Sequence, residues 1–209
     1  MNKIKVFFND LRRRFDWHIN RLTAIELLLT LLTVPMILWA NPQWFTENGA
    51  IENTQLFVLL TAFAVALYAK KSGKLFVLAA FVVLFMIMRE TNLFRAYFCE
   101  KYLSKDELCR WNAFKYGYLI ESIRWIFAVY VLYYFIRHKI WRQIWQYILN
   151  APVYVWDFMI LGVSFIGGTV AEFECVDNEI MEESFELIFY ITVVNCLYKY
   201  GKFTCKKTD

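Results

Sequence analysis

The sequence predicts an all-α fold: a polytopic membrane helix bundle with six transmembrane helices, both termini cytoplasmic, and amphipathic interfacial helices. Three observations predict it. The 209 residues are 59% hydrophobic and 20% aromatic, more apolar than an ordinary soluble domain. Six apolar runs approach the roughly 20 residues that a helix needs to cross roughly 30 Å of hydrocarbon. The basic residues are sorted to one side of those runs.

The runs are Leu22–Ala40, Thr54–Ala69, Leu75–Met88, Tyr116–Ile136, Ala151–Ala171 and Ile180–Tyr198. The second and third reach span length only when Ile51–Gln55 and Arg89–Leu93 continue them outward. Backbone in hydrocarbon must satisfy its own hydrogen bonds, and the runs lack the alternation of barrel strands, so each is expected to be a helix. Together they use up the chain. Residues 1–209 read as one six-helix membrane domain, with a cytoplasmic amphipathic segment at 1–21, a long outer loop at 89–115 and a cytoplasmic interfacial helix at 138–149. A basic segment ahead of the first run has the outline of a signal peptide. The run is too long for an h-region, and Trp39 stands beside the would-be cleavage point, so it is expected to remain as the first span.

Of the 23 Lys and Arg, sixteen lie before the first run or after the second, fourth and sixth. The other side holds six, all within 89–115, and Arg124 lies inside the fourth run. The positive-inside rule therefore places both termini in the cytoplasm. These basic residues read as topology signals facing anionic lipid, with no nucleic acid implied. In the N-terminal segment Ile4, Phe7, Phe8, Leu11, Phe15 and Ile19 recur at helical spacing opposite Arg12–Arg14. Between 140 and 149, Ile140, Trp141, Ile144, Trp145, Ile148 and Leu149 form an apolar stripe. Both suit helices lying in the lipid interface, and a docking face for a cytoplasmic partner is the competing reading.

Acidic residues gather at the predicted outer ends of the spans. Glu52 opens the second span; Arg89 and Glu90 close the third; Glu121 and Arg124 lie in the outer part of the fourth; Glu182, Glu183 and Glu186 open the sixth. Charged groups in a span normally face a bundle interior or a watery cavity and pair with something. Glu179, Glu182, Glu183 and Glu186 follow i, i+3, i+4, i+7 and share one helix face. Glu121 and Arg124, three apart, are expected to pair along their helix. Glu90 sits at a helix C-terminus, unfavourable for a carboxylate without a partner, and Arg89 is the expected one. The helix dipole alone accounts for Glu52, Glu182 and Glu183, but poorly for Glu186. The carboxylates outnumber the two arginines, which requires protonated glutamates, a bound cation or a hydrated cleft. An oxygen-only set of this kind suits Mg²⁺, Mn²⁺ or Ca²⁺.

On the inner side, Asp157 lies roughly 9–10 Å into the fifth run at 1.5 Å per residue. It reads as an interhelical hydrogen-bonding group in preference to one half of a proton path, because no second inner acid stands out. Glu26 reads as a helix-end carboxylate. Gly162, Ser164, Gly167 and Gly168 make the fifth helix narrow enough for close packing. Pro35 is expected to kink the first helix and Pro152 to start the fifth. Cys99 and Cys109 form a candidate disulfide in an oxidising outer compartment, with Cys175 leaving the pairing open.

Glu47-Asn48-Gly49-Ala50-Ile51-Glu52 resembles the E-x-G-x-[IV]-E segment of a broad set of uncharacterised bacterial multi-pass inner-membrane proteins. Glu182-Glu183-Ser184-Phe185-Glu186-Leu187 is similar to the E-E-x-x-E-L opening of their last span. Where those proteins often carry an acidic pair followed by Ser-Trp-Gly, this chain has Arg89-Glu90-Thr91-Asn92. The resemblance implies a multi-pass protein of a bacterial inner membrane and carries no activity with it.

His18 and His138 are the only histidines, both on the predicted cytoplasmic side. Bis-histidine haem inside the bundle and a H-E-x-x-H zinc protease are therefore excluded. No phosphate-binding glycine loop for a nucleotide is present, and no G-x-S-x-G elbow. Three functions stay open: a non-catalytic membrane subunit or assembly factor, which the sequence favours; a transporter of a cation, proton or small solute; and an enzyme on a lipid-linked substrate. A membrane-protein partner and a homo-oligomer are both compatible with these residues.

Overall fold

The computed structural model describes residues 14–39, 50–69, 73–91, 117–171 and 179–208. These form seven helices and one pair of two-residue strands: β1 (Phe15–Asp16), α1 (Arg21–Trp39), α2 (Ala50–Ala69), α3 (Lys74–Glu90), α4 (Gly117–Arg137), α5 (Ile140–Asn150), β2 (Val153–Tyr154), α6 (Val155–Ala171) and α7 (Glu179–Thr208). Residues 1–13, Glu47, Cys99, Cys109, Cys175 and most of the predicted outer loop lie outside the described residues.

The described chain is all-α in character, as expected, and each predicted apolar run falls on a helix. Two helices, Ala50–Ala69 and Gly117–Arg137, are long and apolar enough to cross a membrane; Val155–Ala171 is apolar but shorter. The outward extension of the second run is helical, since α2 starts at Ala50. That of the third stops at Glu90, with Thr91 as the C-cap.

Local chemistry sets the other boundaries. α1 begins where Asn20 caps it: the Thr23 amide donates to Asn20 Oδ1 at 2.7 Å, which satisfies a backbone donor the helix cannot. Pro35 lies in its interior. The fifth run does not become helical at Pro152. Val153–Tyr154 first pairs in parallel with Phe15–Asp16, and α6 starts at Val155. Two β-type residues are held extended there, and the Trp156 indole donates to the Trp17 carbonyl at 3.2 Å. The two indoles meet edge to face with centroids 6.0 Å apart. α4 and α5 are joined at Lys139, whose φ of 50° is left-handed; α5 then buries Ile140 and leaves Trp141, Trp145, Ile148 and Leu149 exposed.

α7 is the central helix. It packs against α6, α2 and α1; α2 packs against α3, and α3 against α4. The core is formed by Leu59, Ala62, Val83 and Tyr190, surrounded by Phe63, Met86, Phe189, Val193 and Leu197 among others. Small residues permit the closest contacts. A Cβ on Gly167 would stand 2.7 Å from the Phe185 ring, and one on Gly201 would stand 3.0 Å from Ala69 Cβ. Gly162, grouped with Gly167 in the sequence, has nothing within 4 Å of such an atom. α4 is peripheral: Phe81 of α3 meets Phe127, Tyr130 and Tyr134 edge to face, while Trp125, Ile126, Val129 and Leu132 stay exposed.

Candidate functional site: two polar layers on one helix

α7 carries two clusters of polar side chains, separated by the apolar core. The first is assembled from α2, α3 and α7. Arg89 pairs with Glu186. The Tyr190 hydroxyl donates to Glu90 Oε1. Gln55 Nε2 donates to Glu183 Oε2 at 2.7 Å and to the Glu183 carbonyl at 3.0 Å. Gln55 and Tyr190 are fully buried, and Glu90, Glu183 and Glu186 half-buried. Glu52, one turn before Gln55, is close enough to repel Glu90, and Glu186 repels both Glu90 and Glu183. Four carboxyls from three helices thus stand near one another, and Arg89 faces two of them, Glu186 and Glu90.

This brings together six of the eight residues of the predicted outer cluster: Glu52, Arg89, Glu90, Glu183 and Glu186 at its centre, with half-buried Glu182 beside Glu183. The pairing differs from the expected one. Arg89 attracts Glu90, but adjacent positions on a helix point in different directions, and each side chain bonds to a separate residue of α7. Glu121 and Arg124 sit on α4, which packs against α3 and α5. Arg124 is not among the charged neighbours of Glu90 or Glu183, and the Glu121 side chain lies outside the described residues. Gln55 and Tyr190 were not singled out from the sequence. Tyr190 follows Glu186 by four residues, the spacing that places it on the same face.

The second layer joins α1, α6 and α7. Asp157 is completely buried. It accepts hydrogen bonds at Oδ1 from the Thr23 hydroxyl at 2.7 Å and from Asn195 Nδ2 at 3.3 Å, and at Oδ2 from Lys199 Nζ at 2.6 Å. Asn195 and Lys199 also donate to Thr23 Oγ1, at 3.2 Å and 3.0 Å. The lysine ammonium lies 4.7 Å from the centre of the Tyr154 ring, a cation–π contact that closes the layer.

The sequence reading placed Asp157 deep in its run. Because α6 starts at Val155, Asp157 lies in the first helical turn, where the helix dipole favours a carboxylate. The interhelical hydrogen bond expected of it is present. Two other expectations change. Glu26 is no exposed helix-end carboxylate: it is the sixth residue of α1, wholly buried, and near Asp157. It is the second inner acid that the sequence did not make evident. Lys199, read as a topology signal beyond the last span, turns back to neutralise Asp157.

The layers are far apart. Glu186 and Lys199 are thirteen residues apart on α7, roughly 20 Å at 1.5 Å per residue. Leu59, Ala62, Val83 and the Tyr190 ring fill the space between. Comparison with known proteins finds no match to a family model, a curated protein or a solved structure. The site must therefore be judged on its chemistry.

Proposed function

We propose that the chain is a multi-pass membrane protein of a bacterial inner membrane, with six spans and cytoplasmic termini, and that the Arg89 layer binds a cationic small solute at the outer end of the bundle; among the described residues no group of three or more carboxyls is arranged to hold a metal ion. The observation that carries this reading is the convergence of Glu52, Glu90, Glu183 and Glu186 from three helices, with Arg89 paired to Glu186. Carboxyls that repel one another favour a positive charge brought among them. The second layer, on the same helix beyond an apolar plug, gives the bundle an inner polar station. Ion-linked transport is the activity that uses both.

The membrane reading is supported by the six apolar runs, the sorted basic residues and the exposed apolar face of α4. Topology is tested by cysteine accessibility in intact cells. Positions in 92–116 are expected to react with an impermeant thiol reagent, and positions at 70–74 only after lysis. The reverse pattern, or equal labelling, overturns the orientation. The site is tested by melting the purified protein with spermidine, with Mg²⁺ as the comparison. Spermidine is expected to raise the melting temperature of the parent and not that of Glu183→Gln/Glu186→Gln. Equal responses in both proteins overturn the cation site.

A second reading, a non-catalytic membrane subunit, is favoured by α4. Its outer face carries Trp125, Ile126, Val129 and Leu132, each more than half exposed. A normal cellular phenotype in both Glu186→Gln and Glu183→Gln would select this reading.

A further inference from the structure

We infer that the Asp157 layer is a proton-binding site and that Glu26 carries the proton. This inference is independent of the ligand of the Arg89 layer; it comes from a count of donors and acceptors. Thr23 Oγ1 gives its one proton to Asp157 and accepts from Asn195 and Lys199. Asp157 accepts at both oxygens. Asn195 Nδ2 donates to Thr23 and Asp157. Three buried acceptors are then left without a donor: Glu26 Oε1, Glu26 Oε2 and Asn195 Oδ1. Buried polar atoms are rarely left so.

One added proton resolves the mismatch. A neutral Glu26 gains an O–H, and Asn195 is a neighbouring side chain whose Oδ1 has no donor and is available to receive it. The proton also balances the charge. The groups facing Glu26 are Asp157 from α6, and Lys199 and Cys196 from α7, with Tyr154 of β2 behind Asp157. Lys199 neutralises Asp157, so an ionised Glu26 would leave one unpaired negative charge with no exposure to water. Such a charge is expelled or neutralised. Three free oxygens fall short of the shell a hard metal cation takes, whereas a proton needs one acceptor and no cavity. The binding step is a protonation of the Glu26 carboxylate: one O–H bond forms, and the reverse step returns the proton to water.

The test is infrared difference spectroscopy on the full chain in lipid nanodiscs at pH 7. A protonated-carboxyl C=O band that shifts in deuterium oxide is expected in the parent. It is expected to be lost in Glu26→Gln, whose amide replaces the lost donor, and displaced in frequency in Asn195→Leu, which removes the acceptor. A spectrum unchanged by both substitutions overturns the assignment. If Glu26→Gln fails to fold, the Asn195→Leu displacement decides alone. A rise in melting temperature with Na⁺ at pH 7 that disappears in Glu26→Gln also overturns it, because a metal ion would then hold the place given to the proton.

Discussion

Lys199 Nζ stands 2.6 Å from Asp157 Oδ2, with the carboxylate side chain inaccessible and the lysine side chain 9% exposed. The contact ties the far end of α7 to the first turn of α6. It turns a residue counted among the cytoplasmic charges into an internal one.

Removing either partner leaves the other charge buried and alone. Lys199→Met or Asp157→Asn is therefore expected to cost about 3–5 kcal/mol of stability. The double replacement Asp157→Leu/Lys199→Met is expected to cost less than either single change, because a buried pair is roughly exchangeable for apolar side chains. Unfolding titrations in mixed detergent micelles measure all three. Single losses below about 0.5 kcal/mol, the range of surface substitutions, would show that water reaches the pair.

The Arg89 layer is expected to separate stability from function. Arg89 has a half-exposed side chain, so Arg89→Gln should lower stability by about 1 kcal/mol or less while abolishing cation-dependent stabilisation. Tyr190 is 1% exposed, and Tyr190→Phe removes the hydroxyl that donates to Glu90. That change should cost about 1–3 kcal/mol. The same unfolding titration compares them, and equal losses would contradict the difference in burial.

Two glycines of α6 should respond oppositely. Gly167→Ala drives a methyl to within 2.7 Å of the Phe185 ring, and overpacking of this kind costs about 1–3 kcal/mol. Gly162→Ala meets open space and gains up to about 1 kcal/mol of helix propensity. Melting temperatures of the two variants should fall on either side of the parent.

His138, outside the predicted spans, provides a pH dependence. Desolvation lowers its pKa below the usual 6.5, with the Lys74 ammonium and Arg137 adding to the effect. Lys74 Nζ lies 3.1 Å from His138 Nδ1, so the neutral ring accepts from the ammonium. Folding therefore disfavours the imidazolium. Its stabilising contribution is complete above the unfolded value of about 6.5 and is lost as pH falls through the lower folded value. His138→Gln should reduce the slope of melting temperature against pH below 6.5. An unchanged slope would place the sensitivity elsewhere.

Much of the architecture was legible because hydropathy is a local property. Each apolar run falls on a helix, and the i, i+3, i+4, i+7 spacing of Glu179, Glu182, Glu183 and Glu186 grouped on one face the residues of which Glu183 and Glu186 line one layer. What escaped was the pairing between helices. Arg89 and Glu90 are neighbours in sequence, yet the helix turns them toward different partners on α7. Glu26 resembled a helix-end carboxylate until Asn20 fixed the start of α1 and turned the residue inward. Lys199 counted as a topology charge because nothing local shows that it reaches back to Asp157. Gln55 and Asn195 were single polar residues inside apolar runs; their roles depend on groups 128 and 172 residues away in sequence.

α7 runs without a break for thirty residues, and Glu186 and Lys199 are fixed to the same rod. Sliding or rotation of that rod to accommodate a guest at one end must disturb the contacts at the other. Any coupling that such a movement sets up between the two layers is reciprocal. Loading at the carboxylate end would alter the affinity of Glu26 for its proton by the same factor that protonation alters loading.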